Sequence, residues 1–160
     1  IEEGVFKAIA DPNKVSTPPP VERVPVFMNF APLENGLEVL GKSINRYQRA
    51  MENAQANGGE ALTHASLKDV NQSLLKVEQS FASPDGLPDR PWFRHQIYAP
   101  GAYTGYAATP IAAVREPMDK KDWEQADSQI PRIAKILESA ASAIEGAASQ
   151  FEASTTSASK

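Results

Sequence analysis

Apolar residues recur along three long segments of this chain at alternating spacings of three and four, which is the pattern of amphipathic helices. The pattern predicts helix one over about 31–57, helix two over about 63–82 and helix four over about 121–151, with a short helix three over about 110–118. The apolar stripes are Leu33, Leu37, Leu40, Ile44, Tyr47, Met51 and Ala54 in helix one, Leu67, Val70, Leu74, Val77 and Phe81 in helix two, and Trp123, Ala126, Ile130, Ile133, Leu137, Ala140, Ile144, Ala147 and Phe151 in helix four. No strand is predicted. The sequence therefore predicts an all-α, four-helix-bundle-like domain.

Glycine and proline interrupt two of these helices. Gly36 and Gly41 lie inside helix one, where each costs about 1 kcal/mol relative to Ala if it is exposed. Pro131 lies inside helix four and removes the hydrogen bond to the carbonyl four residues earlier. Helix four is therefore predicted to kink at this proline or to restart there.

A long loop rich in proline and aromatic residues separates helices two and three. Its centre, Leu87 to Tyr106, reads LPDRPWFRHQIYAPGAYTGY and contains three prolines, five aromatic residues and one of the two histidines. Each proline removes a backbone donor and pushes the residue before it toward an extended conformation, so this segment is not predicted as helix. Connections of about 20 residues are uncommon in compact domains unless the loop has a function.

Length, charge and composition narrow the classes of protein that the chain can represent. Its 160 residues suit one domain that buries a continuous core without a disulfide or a metal. The net charge of -4 argues against non-specific binding to nucleic acid or to an anionic membrane. Cysteine is absent, which excludes disulfides, thiol catalysis and zinc–thiolate sites. The sequence has no apolar run of about 18 residues or more, so no membrane span is predicted.

The chain divides into three parts by composition. Residues 1–26 are predicted as an N-terminal segment and a proline-rich connector, 27–152 as the helical domain and 153–160 as a flexible tail. The first residue is Ile1 rather than Met, so we expect a fragment of a longer protein.

The loop carries an unusual string of residues. SPDGLPDRPWFRHQIYAP, followed by YTGYA, resembles the C-terminal helical domain of the transferrin receptor and glutamate carboxypeptidase II family. The resemblance is strongest from Ser83 to Ala107 and continues more weakly into helix four, at Trp123 and at Gln129–Ile130. It implies a helical dimerisation domain whose parent is a zinc-dependent exopeptidase or a related receptor.

The resemblance also implies substrate-binding residues. The loop from Tyr98 to about Pro110 is expected to reach over an active site on a neighbouring domain. Tyr106 falls on a tyrosine, and Gly105 on a lysine, that together hold the glutamate side chain of the substrate in glutamate carboxypeptidase II. Because Gly105 carries no charge, a different or broader specificity is expected. The substrate-binding candidates are Tyr98, Tyr103, Gly105 and Tyr106, and the alternative is that the tyrosines only pack the loop onto the bundle.

Four polar residues earlier in the loop are predicted to have a structural role. Asp89 and Arg90 with Arg94 could bind a substrate carboxylate, since guanidinium pairs with carboxylates through two hydrogen bonds, but arginines in such a loop more often satisfy local carbonyls. His95 could ligate a metal, but a chain with two histidines and no cysteine makes a poor zinc site, so His95 is predicted to pin the loop. No catalytic residue and no cofactor are assigned to this chain.

Two functions from different classes follow from the resemblance. In the first, the domain dimerises a glutamate carboxypeptidase-like zinc exopeptidase and completes a substrate pocket, while two zinc ions lie in a missing peptidase domain. In the second, the domain is a non-catalytic receptor or sorting-type interaction module like the transferrin receptor. The expected partners are a second copy, the missing peptidase domain and a peptide substrate, and the parent is expected to be extracytoplasmic, secreted or membrane-anchored. Ala134, Ile136, Ala141 and Ala148, beside the stripe of helix four, are candidates for the dimer surface, or are simply good helix formers.

Overall fold

The computed structural model describes residue 24 and residues 26–56, 64–102 and 105–158. Its elements in chain order are α1 (Ala31–Ala56), α2 (His64–Ser80), β1 (Tyr98–Pro100), β2 (Ala108–Pro110), α3 (Ala112–Asp119) and α4 (Trp123–Ala158). The all-α, bundle-like prediction is confirmed, and the predicted helices are found close to their expected limits, except that the last helix ends at Ala158 rather than near residue 151. The connector over 1–23, the end of helix one at Asn57–Gly58–Gly59 and Tyr103 lie outside the described residues.

Helix α4 is the element around which the other helices are arranged. The predicted stripe of α4 is buried at every position except Trp123, which is half-buried. Helices α1, α2 and α3 each pack against it. The helix continues through Pro131 without a restart and reaches Ala158, so it includes most of the segment that was predicted as a tail. Ala134, Ala141 and Ala148 are buried inside the domain, which makes them core residues rather than a free dimer surface.

Helix α1 partly or fully buries most of its predicted stripe, at Leu33, Leu40, Tyr47, Met51 and Ala54, but not Leu37 and Ile44. Its fully buried positions are Leu33, Gly36, Ser43, Ala50 and Ala54. Leu37 and Ile44, which were predicted to be buried, are 50% and 38% exposed. The prediction is wrong there because small residues allow α1 to approach α4 closely: an added Cβ on Gly36 would lie 3.2 Å from the Ala134 carbonyl oxygen.

The core consists of two hydrophobic clusters. The larger cluster joins the loop, the short strands and α3 to α4, and its buried members are Leu33, Leu87, Ala99, Ala112, Ala113, Val114, Ile130, Ile133 and Leu137. The smaller cluster joins α1 and α2 to the C-terminal half of α4 through Ala50, Ala54, Val70, Ala147, Ala148 and Phe151. The larger cluster therefore anchors the loop between α2 and β1 through Leu87, Phe93 and Ile97.

Strands β1 and β2 form a small antiparallel hairpin that the sequence did not predict. Tyr98 pairs with Pro110, Ala99 with Thr109, and Pro100 with Ala108. A proline at each edge limits the ladder, because proline cannot donate a backbone hydrogen bond. Residues 98–110 are called the hairpin below.

Candidate functional site

The first half of the loop, residues 81–97, forms a compact unit that we call the loop platform. Its backbone closes on itself: the Ser83 N–H donates to the Arg94 carbonyl at 2.9 Å, and the Leu87 N–H donates to the Phe93 carbonyl at 2.9 Å. Gly86 has φ of 67°, a conformation that favours glycine, and an added Cβ there would lie 2.2 Å from the Pro91 carbonyl oxygen. The platform therefore depends on this glycine.

Arg90 joins the platform to the hairpin and to α3. Its Nη1 donates to the Pro100 carbonyl at 2.7 Å, and its Nη2 bonds the Glu116 carboxylate. The guanidinium carbon lies 4.9 Å from the centre of the Phe93 ring, which adds a cation–π contact. The two charged side chains are only 13% and 9% exposed. One arginine thus ties three parts of the site together.

The neighbouring polar residues also form ion pairs and hydrogen bonds within the domain. Asp89, with φ of 62°, forms an ion pair of 2.7 Å with Lys120 just after α3. The Arg94 carbonyl accepts hydrogen bonds from the platform, and its side chain is exposed. Arg132 of α4 holds the start of the platform through the Ser83 hydroxyl and the Asp85 carboxylate. These contacts use Asp89 and Arg90 within the fold.

His95 lies at the base of the hairpin. Its Nδ1 accepts a hydrogen bond from the Tyr98 backbone N–H at 3.3 Å, and the two rings lie 4.2 Å apart between centres. Its Nε2 is 3.6 Å from a carboxylate oxygen of Glu78 on α2. Because Nδ1 accepts, the neutral ring carries its proton on Nε2, which faces Glu78.

Backbone hydrogen bonds join the two described ends of the hairpin turn. The Gly101 N–H donates to the Ala107 carbonyl at 2.8 Å, and the Gly105 N–H donates to the Gly101 carbonyl at 3.0 Å. Gly105 has φ of 67° and nothing within 4 Å of an added Cβ. Tyr106 is fully exposed and Tyr98 is 56% exposed. The structure thus places two of the four substrate-binding candidates, Tyr98 and Tyr106, with their side chains accessible.

A shallow cleft lies between the hairpin turn and α3. Its volume is about 290 Å³, and its walls include the hairpin backbone at both ends of the turn together with Arg115, Glu116 and Asp119 of α3. The sequence patterns gave no reason to select Arg115 or Asp119. Their contribution depends on the hairpin, which the sequence did not predict, so no signal in the chain alone would have found them.

A second, polar groove of about 430 Å³ lies between α1 and the end of α4. Arg46 occupies it and is held there by Glu145, Glu152 and the Ser149 hydroxyl. The hydrogen bond from Arg46 lowers the pKa of Glu152, and the two glutamates raise the pKa of Arg46. Arg46 is thus paired with two carboxylates across the contact between the helices.

Neither a metal centre nor a membrane helix emerges from the part of the chain that the structure describes. Within it, no three side chains among His, Cys, Asp and Glu are grouped so that they could hold a metal ion. None of its helices combines the length and the apolar character that crossing a membrane requires.

Comparison with known proteins gives a consistent result. Residues 28–145 match the family described as the transferrin receptor-like dimerisation domain. A protein of Arabidopsis thaliana named "Probable glutamate carboxypeptidase LAMP1" is 29% identical over 87 residues, which cover 50% of this chain and 13% of that protein. A protein of Arthroderma benhamiae named "Probable glutamate carboxypeptidase" is 37% identical over 70 residues, which cover 44% of this chain and 10% of that protein.

A third relative carries a different description. A protein of Schizosaccharomyces pombe named as an inactive zinc metalloprotease is 30% identical over 77 residues, which cover 48% of this chain and 10% of that protein. The matched part of this chain therefore spans 10% to 13% of the length of these three relatives.

Proposed function

Because the chain belongs to the transferrin receptor-like dimerisation domain family, we propose that it pairs two copies of a glutamate carboxypeptidase-like zinc exopeptidase and that its hairpin completes that enzyme's substrate pocket. In this proposal the chain itself contributes no catalytic group. Two zinc ions and the general base belong to a separate peptidase domain of the same parent protein. The role of this domain is to hold the two subunits together and to present the hairpin.

One observation carries the pocket-completing role: a firmly held platform supports a hairpin whose aromatic side chains face outward. Arg90 fixes strand β1 through the Pro100 carbonyl, and His95 accepts from the backbone of Tyr98. Tyr106 nevertheless buries none of its surface within the domain. A loop that is ordered before binding loses less entropy when it contacts a ligand, which favours a recognition role for such a side chain.

Tyr106 is the side chain that we propose contacts the substrate. Its hydroxyl can donate to a carboxylate or a carbonyl without supplying charge. Tyr98, Tyr103 and Gly105 would shape the same pocket, and Gly105 leaves it without a fixed positive charge at that position. The pocket is therefore proposed to accept peptides with varied C-terminal residues instead of requiring glutamate.

Substitution of Tyr106 by phenylalanine in the full-length parent tests this role. Losing one hydrogen bond to a charged group costs about 1.5–3 kcal/mol, so kcat/KM for peptides with an acidic C-terminal residue should fall by roughly ten- to a hundred-fold. Tyr47→Phe is the matched control, because Tyr47 packs on Phe151 with ring centres 5.6 Å apart, in the core cluster that joins the helices. An unchanged kcat/KM in Tyr106→Phe would show that the Tyr106 hydroxyl does not contact the substrate.

The receptor-type alternative is not favoured. Two of the relatives described above are named as glutamate carboxypeptidases, and none is named as a receptor. The relative from Schizosaccharomyces pombe carries the word inactive in its name, so the activity of each parent has to be measured separately.

A further inference from the structure

Helix α1 has an apolar stripe that the described residues leave exposed. Leu37 and Ile44 lie seven residues apart, which places them on one face of the helix, and they are 50% and 38% exposed. Gly41 lies between them on the same face. These three residues are called the α1 stripe below. The stripe is adjacent to the buried face of α1 and does not overlap with it.

Gly41 has no packing role within the described domain. A Cβ added to it would meet nothing within 4 Å, in contrast to Gly36, where Ala134 and Leu137 are in close contact. Glycine inside a helix is less stable than alanine. A small residue between two large apolar ones allows another helix to approach closely. The described residues of this domain place no helix against Gly41.

We propose that the α1 stripe is the surface through which a second copy of this chain docks, with the two α1 helices antiparallel and crossing near Gly41. The inference rests on the dimer proposed above and adds the surface that forms it. An antiparallel crossing at this point places Leu37 of each copy beside Ile44 of the partner subunit. The stripe is thus complementary to itself, as a two-fold interface requires.

The charges beside the stripe also favour a second copy. Glu38 and Lys42 form an exposed ion pair of 2.6 Å on the flank of the stripe. Antiparallel pairing reverses their order in the second helix, so Glu38 of one copy comes level with Lys42 of the partner subunit. Parallel pairing would instead place the two copies of this ion pair on opposite flanks of the interface, where they do not meet. The flanking charges therefore match a copy of the same helix in one orientation.

Charge substitution in the stripe tests the surface directly. Leu37→Glu and Ile44→Glu should each raise the dimer dissociation constant of the 160-residue chain at least tenfold, measured by analytical ultracentrifugation across a concentration series. Leu75→Glu is the matched control, because Leu75 is 64% exposed on α2 and lies outside the stripe. All three sites are exposed, so circular dichroism should report the same helix content as in the unchanged chain.

Cysteine cross-linking tests the orientation, and the absence of native cysteine leaves no background. A mixture of Leu37→Cys and Ile44→Cys chains should form disulfide-linked heterodimers under mild oxidation faster than either variant links to itself. A mixture that contains Leu75→Cys should link only at the rate of random collisions.

The outcomes separate this inference from the function on which it rests. An unchanged chain that stays monomeric at every concentration overturns both the proposed dimer and its surface. A dimeric chain whose stripe variants dimerise equally well overturns the surface alone and assigns the dimer to another face. Faster linking of each cysteine variant to itself overturns the antiparallel arrangement.

Discussion

The α1–α4 interface and the loop platform are stabilised in different ways. Along the helices, contact comes from repeated small residues: Gly36, Ala50 and Ala54 on α1 face the alanine-rich surface of α4. In the platform, individual groups carry the structure, namely the Arg90–Glu116 pair and the positive φ of Gly86.

The difference predicts how each region responds to mutation. An interface made of many similar contacts should lose little free energy of unfolding with each substitution, because the remaining contacts are kept. A platform that depends on single contacts should lose much more free energy of unfolding when one is removed. A buried charge is then left without a partner, or a strained backbone loses the residue that tolerates it. Three substitutions compare the two regions, from the largest expected effect to the smallest.

Removal of the carboxylate at Glu116 should be the most damaging. Glu116→Ala leaves the buried Arg90 without its charge partner, which costs about 3–5 kcal/mol of unfolding free energy. Urea denaturation followed by circular dichroism measures the loss. Glu116→Gln keeps a hydrogen-bond acceptor and should cost less. Asp85→Ala is the matched control, because the Asp85 side chain is 76% exposed in its ion pair with Arg132. Removal of this exposed pair should lower the free energy of unfolding by less than about 1 kcal/mol. Equal losses of unfolding free energy for Glu116→Ala and Asp85→Ala would contradict the prediction that the buried ion pair stabilises the domain more than the exposed one.

Alanine at Gly86 should have the next largest effect. The new Cβ meets the Pro91 carbonyl at 2.2 Å in a left-handed conformation, so the platform must shift at a cost of about 2–3 kcal/mol. Gly105→Ala is the matched control: it has the same φ of 67° but open space around the Cβ, and should cost only about 1 kcal/mol of strain. Thermal unfolding of both variants gives the difference, and a larger loss at Gly105 would contradict it.

Alanine at Gly41 should have the smallest effect and the opposite sign. Within α1 it relieves the cost of a helical glycine, so the free energy of unfolding should rise by about 0.5–1 kcal/mol. Gly36→Ala should give no such gain, because its Cβ would lie 3.2 Å from the Ala134 carbonyl oxygen. Urea denaturation at concentrations where the chain is monomeric separates this effect from self-association. Equal gains at the two sites would show that α1 and α4 are not closely packed at Gly36.

Helix periodicity predicted most of the fold. The stripe of α4 and the limits of the helices, apart from the C-terminal end of α4, followed from apolar spacing, because burial against neighbouring helices is what creates that spacing. The pattern was wrong on α1 at Leu37 and Ile44. Close approach through glycine and alanine determined which face of α1 is buried, and an apolar count gives little weight to such residues.

The site was less accessible to prediction from sequence. The loop could be located because proline and aromatic residues cluster there, and Tyr98, Gly105 and Tyr106 were selected by resemblance. The hairpin could not be predicted, since each of its strands has three residues and ends in proline. The partner of Arg90 could not be predicted either, because Glu116 lies 26 positions away and no local pattern connects them.

The position of α4 in the chain has a consequence for biosynthesis. Helices α1, α2 and α3 all pack against α4, and α4 follows them in sequence. A ribosome therefore releases the first three helices before the surface that covers their apolar faces exists. Until α4 emerges, the nascent chain cannot bury those faces against it, which is the condition under which partly folded chains tend to aggregate.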